Sequence, residues 1–127
     1  LHPTTIGEHI KKRRMDLGLL QRDVAKLLGV TDETITNWER EYGQPKIRYY
    51  PTIIAFLGFL PIQIDTSTLG GKIKLYRHYK GLSHKKMAKT FGVDETTIFN
   101  WERDAHVPQP KLLQSLISLF AELPVLP

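Results

Sequence analysis

A chain of 127 residues has room for one domain or for two small ones, and 41% hydrophobic with 24% charged residues is a globular rather than a disordered composition. The absence of cysteine excludes disulfides and thiolate metal sites and allows an intracellular home, while a net charge of +5 suits an anionic partner without demanding one. The longest apolar stretch, Ile53 to Ile64, is broken by Gly58 and Pro61 and is too short to span a bilayer, and neither end carries a secretion signal. The chain opens on Leu1, as a segment cut from a longer protein would.

Leu1 to Thr5, short and containing Pro3, is expected to be a flexible arm. Ile6 and Ile10 share one face of a first helix running to about Asp16, and Gly18 supplies the left-handed turn that ends it. A second helix over Gln21 to Leu28 should bury Val24, Ala25 and Leu28, with Ala25 small where helices cross closely. Gly29 closes it, Val30 plugs the turn and the hydroxyl of Thr31 caps a third helix from Asp32 to about Glu41. The three-residue spacing of Ile35 and Trp38 turns them inward and leaves Asp32, Glu33, Thr36 and Asn37 outside. After a loop near Pro45, Ile47 to Tyr50 reads as one turn and Pro51 as the start of a helix that Gly58 stops.

The rest of the chain repeats this plan. Asn37-Trp38-Glu39-Arg40 recurs as Asn100-Trp101-Glu102-Arg103, and a shift of 63 residues superposes the halves without a gap: Gly7 on Gly70, Arg14 on Arg77, Gly29-Val30 on Gly92-Val93 and Pro45 on Pro108. Identities that fall on turns, core positions and polar sites alike point to duplication of one unit. The second set of helices is expected over Leu69 to Tyr79, His84 to Phe91, Glu95 to Asp104 and Lys111 to Leu123, with Ser83 and Asp94 as caps. The chain then divides into residues 1–60, a linker over 61–68, and residues 69–127.

Helix, glycine turn, helix with a central Ala, Gly-Val turn and a helix carrying Ile and Trp is a helix-turn-helix pattern. Both halves resemble the lambda repressor/Cro-type (XRE-like) helix-turn-helix domain, most specifically in LLQRDVAKLLGVTDETITNWER and LSHKKMAKTFGVDETTIFNWER. The resemblance implies an all-α fold of two tandem domains, each of four to five short helices. It also implies double-stranded DNA as partner, a prokaryotic or phage-type transcriptional regulator as function, and a cytoplasmic, nucleoid-associated location, with self-association possible. In such domains the third helix enters the major groove and the second crosses the backbone.

Carried onto this sequence, base edges fall to Asp32, Glu33, Thr36 and Asn37, and to Glu95, Thr96, Phe99 and Asn100 in the second half. Phosphates fall to Gln21, Arg22, Lys46 and Arg48, and to His84, Lys85 and Lys111, with His84 useful chiefly when protonated. Arg14 with Glu39, and Arg77 with Glu102, are implied as structural ion pairs. The residue chemistry runs the same way at the two asparagines, since a carboxamide can bond adenine N6 and N7 together. The carboxylates are the main objection; they can stabilise their helix N-termini or accept from cytosine N4. Phe99 can meet a thymine methyl or cover core, and the exchanges of Glu33 for Thr96 and Thr36 for Phe99 predict unequal half-sites.

Two other readings compete: a protein–protein adaptor on the same scaffold, and the DNA-binding segment of a larger protein. Catalysis has no support. His2, His9, His78, His84 and His106 are scattered without metal-ligand spacing, adjacent Asp32 and Glu33 diverge around a helix, and no cofactor or metal is expected.

Overall fold

The computed structural model describes residues 2–123, and the chain separates into two compact units that meet between Gln63 and Ile64. All regular structure among the described residues is helical. The first unit holds α1 (Ile6–Asp16), α2 (Gln21–Leu28), α3 (Asp32–Glu39), a 3-10 turn (Ile47–Tyr49) and α4 (Tyr50–Leu57). The second holds α5 (Leu69–Lys80), α6 (His84–Phe91), α7 (Glu95–Glu102) and α8 (Pro110–Phe120).

In the first unit α1, α2 and α4 enclose Ile35 and Trp38 of α3, together with Ile6, Ile10, Val24, Ala25, Leu28, Ile53 and Leu57. Ile73, Tyr76, Met87, Ala88, Ile98, Trp101 and Leu116 do the same in the second. Ile35 and Ile98 are fully buried, each contributing about 1.5–3 kcal/mol relative to an exposed side chain. An eight-residue helix has too few turns to be stable alone, so α3 and α7 exist because this burial fixes them. Ile62, within the stretch expected to link the halves, packs against the first core, and the Asp65 carbonyl lies against Gly71 of α5.

Three local expectations need correction. The segment before α1 is tied down from Thr4 onward: Thr5 caps α1 by accepting from Glu8 N–H, and the Glu8 carboxylate accepts from Thr4 and Thr5 in return. Those bonds, the Thr4 side chain's foremost, hold the Glu8 carboxyl below its ordinary pKa. Leu1 lies outside the described residues, as do the last four. Second, α3 and α7 stop two residues early. Glu41 and Asp104 take the left-handed conformation, with φ of 63° and 59°. Tyr42 N–H then reaches back to the Asn37 carbonyl and Glu41 N–H to Trp38, and the same pair of bonds recurs from Ala105 to Asn100 and from Asp104 to Trp101. Third, Asp94 stands at the N-cap of α7 without a side-chain bond, because Thr97 N–H is taken by the Asp94 backbone carbonyl at 3.0 Å. At the matching position Thr31 Oγ1 accepts from Thr34 N–H at 3.2 Å, and Ser83 caps α6 through Lys86 N–H at 3.1 Å.

Gly7 and Gly70 set how closely the first helix of each unit approaches the end of the third. A Cβ on Gly7 would lie 1.9 Å from the Trp38 carbonyl oxygen, and one on Gly70 would lie 2.5 Å from the carbonyl oxygens of Trp101 and Glu102. The Asp104 carboxylate uses this proximity, accepting from Gly70 N–H at 2.8 Å in the first turn of α5, where negative charge is favoured.

Candidate nucleic-acid interface

The same polar construction holds α3 and α7. Arg14 of α1 donates through Nε to Glu39 Oε2 at 2.7 Å and through Nη2 to Oε1 at 2.9 Å, while Nη1 reaches the Leu19 carbonyl at 3.1 Å. Arg77 repeats all three bonds onto Glu102 and Leu82, at 2.6, 3.0 and 3.1 Å. A bidentate guanidinium–carboxylate pair fixes both distance and plane, so the last residue of the third helix is locked to the first helix and to the turn before the second. The Glu39 bonds, more than its charge, hold the Arg14 guanidinium above its ordinary pKa, which keeps the fork charged.

The fork continues to the surface differently in the two units. Gln21, the first residue of α2, donates from Nε2 to Glu39 Oε1 at 3.1 Å and accepts from Thr36 Oγ1 at 2.8 Å. Its amide has a second N–H that these bonds do not use, aimed by them rather than free to rotate. In the second unit His84 replaces Gln21, with Nε2 at 3.4 Å from Glu102 Oε1. Phe99 replaces Thr36, and the two rings meet edge to face at 6.2 Å. Positions that touch in one unit have therefore changed together in the other. Arg103 adds a guanidinium over the Phe99 ring at 5.3 Å, a contact that the sequence spacing of four could have suggested.

Of the residues expected to meet base edges, Asp32, Glu33, Glu95 and Thr96 are exposed, and Phe99 keeps 52% of its surface in solvent despite its two neighbours. That corrects the alternative in which Phe99 covers core. Asn37 and Asn100 are half-buried, and among the described residues no hydrogen bond occupies either carboxamide. Thr36 is half-buried, its hydroxyl committed to Gln21 and, at 3.1 Å, to the Asp32 carbonyl. Trp38 and Trp101 belong to the cores.

Among the candidate phosphate contacts, Arg22, Lys46, Arg48, Lys85 and Lys111 are exposed, and Gln21 and His84 are half-buried. Arg48 is the most constrained of the cations. Its Nη2 donates to the Tyr49 hydroxyl at 2.9 Å and its guanidinium lies 4.8 Å over the Tyr49 ring, which packs edge-on against Trp38 at 5.5 Å. A cation after the third helix is thus positioned by that helix's own core residue. Among the described residues no cluster of three or more His, Asp or Glu could hold a metal ion, and no helix is long and apolar enough to cross a membrane.

Residues 10–64 match the helix-turn-helix family model. No curated protein and no solved structure matches the chain. The first unit therefore contains an XRE-like helix-turn-helix domain, a non-catalytic DNA-binding fold whose general role is transcription regulation.

Proposed function

We propose that the chain binds double-stranded DNA sequence-specifically through two tandem helix-turn-helix heads, residues 1–60 and 69–127, joined through residues 61–68, and acts as a transcriptional regulator. α3 and α7 lie in the major groove. Asn37 and Asn100 each bond an adenine, flanked by Asp32, Glu33 and Thr36 in one head and by Glu95, Thr96 and Phe99 in the other. Gln21, Arg22, Lys46 and Arg48 meet phosphates beside the first half-site, and His84, Lys85 and Lys111 beside the second. The observation that carries this reading is the repeated Arg–Glu fork, which holds each third helix in one register and leaves an unbonded asparagine carboxamide on its outer edge. Joining the heads covalently raises the effective concentration of the second contact once the first has formed.

Nuclease protection on a selected duplex tests this, with the affinity followed across a salt series. The expected footprint covers two half-sites, and log Kd changes with log salt with a slope of about 4 to 5 in magnitude if Arg22, Lys46, Arg48, Lys85 and Lys111 all meet phosphates. A footprint the width of one head, unchanged by Asn100→Ala, removes the second head from the reading.

A further inference from the structure

On the outer side of α7, His84, Glu95, Thr96 and Phe99 line an open cavity of about 230 Å³. Glu95 and Phe99 stand four residues apart and so share one face of the helix, with Thr96 three residues before Phe99. The cavity thus joins a carboxylate, which only accepts hydrogen bonds when ionised, to the exposed part of an aromatic ring. His84, edge to face at 6.2 Å, and Arg103, with its guanidinium 5.3 Å over the ring, narrow the positions the ring takes before any ligand arrives.

Resting on the reading of α7 as a groove-reading helix, we infer that this cavity takes the major-groove edge of 5-methylcytosine in double-stranded DNA, and that the second head discriminates methylated from unmethylated cytosine. Cytosine offers an N4 amino donor to Glu95 but no methyl group to Phe99. Thymine offers a methyl group to Phe99 but turns an O4 acceptor toward the carboxylate. 5-Methylcytosine carries the donor and the methyl on adjacent ring atoms, and it alone of the three satisfies both sides. The first head lacks the device. At the matching positions stand Asp32 and Thr36, and Thr36 presents no ring and spends its hydroxyl on Gln21.

The test is parallel selection by the whole chain from two randomised duplex pools, one built with cytosine and one with 5-methylcytosine. Affinities are then measured on the selected duplex with cytosine, 5-methylcytosine or thymine at each position. One position in the second half-site should favour 5-methylcytosine over cytosine by about four-fold, the worth of one buried methyl, and over thymine by about ten-fold. Phe99→Ser, which leaves no ring and no methyl at the position, should equalise cytosine and 5-methylcytosine there while keeping both above thymine. Glu95→Gln, which adds a donor for O4, should admit thymine while keeping the methyl effect. Equal affinity for cytosine and 5-methylcytosine at every position overturns the inference and leaves the two-headed reading standing. Failure to select any second half-site overturns both.

Discussion

Single residues differ in what they make legible. Gly7 and Gly70 look, in sequence, like any pair of repeated glycines, and nothing there says whether such a residue serves a turn or a close approach. The backbone separates the two uses. Gly18, with φ of 69°, has nothing within 4 Å of an added Cβ, whereas Gly70 has two carbonyl oxygens at 2.5 Å. Gly18→Ala should cost about 1–2 kcal/mol from conformation alone. Gly70→Ala must push α5 away from the end of α7 and should cost at least about 1–3 kcal/mol, with loss of the Asp104 bond. Urea unfolding of each variant checks the order. His78 supplies a pH dependence. Burial foremost, with Arg77 and Lys74 nearby, lowers its pKa from the usual 6.5, against the opposing pull of the Lys74 carbonyl and Glu102. The unfolded chain therefore takes up the proton first as pH falls. The second unit's stability is full above about pH 6.5 and declines as pH drops through the lower, folded-state pKa. Urea midpoints compared between pH 7.5 and 5.5 should fall less for His78→Gln than for the native chain.

At the scale of the element, the starts of α3 and α6 followed from side-chain chemistry, while the start of α7 and the ends of both third helices did not. Thr31 and Ser83 cap as their hydroxyls suggest, and Ile35 and Ile98 are buried as their spacing requires. Glu41 and Asp104 end α3 and α7 without the glycine that normally marks such a position. They tolerate the left-handed conformation because tertiary partners hold their carboxylates, Thr5 for one and Gly70 for the other. A pattern reading confined to neighbours along the chain cannot see those partners. The Arg–Glu fork is the strongest element-level device, and magnitude separates it from a surface pair. The Arg77 and Glu102 side chains are both 7% exposed, and Glu102→Ala would strand a buried guanidinium at a cost of about 3–5 kcal/mol. Lys80 and Glu122, at 43% and 51% exposure, form an ion pair screened by solvent, so Lys80→Ala should change stability by about 0–1 kcal/mol. Thermal or urea unfolding that ranked the two variants equally would show that the fork is not what fixes α7.

For the whole molecule, the sequence points to two units because turns and core residues recur together at a shift of 63 residues. The difference between their surfaces was visible only as unequal letters. That Gln21 touches Thr36, and His84 touches Phe99, required the packing of the second helix across the third. Side chains fifteen residues apart in sequence meet there, so the two exchanges form one linked change in surface chemistry. On this account the halves share an adenine reader and diverge beside it. The most direct measurement is selection from randomised duplex DNA at fixed salt, performed with the native chain, Asn37→Ala and Asn100→Ala. Each variant should lose preference at one position, a different one for each, with a discrimination loss of about 1–3 kcal/mol there and the other half-site unchanged. Uniform weakening across all sequences in both variants, with every base preference retained, would contradict it.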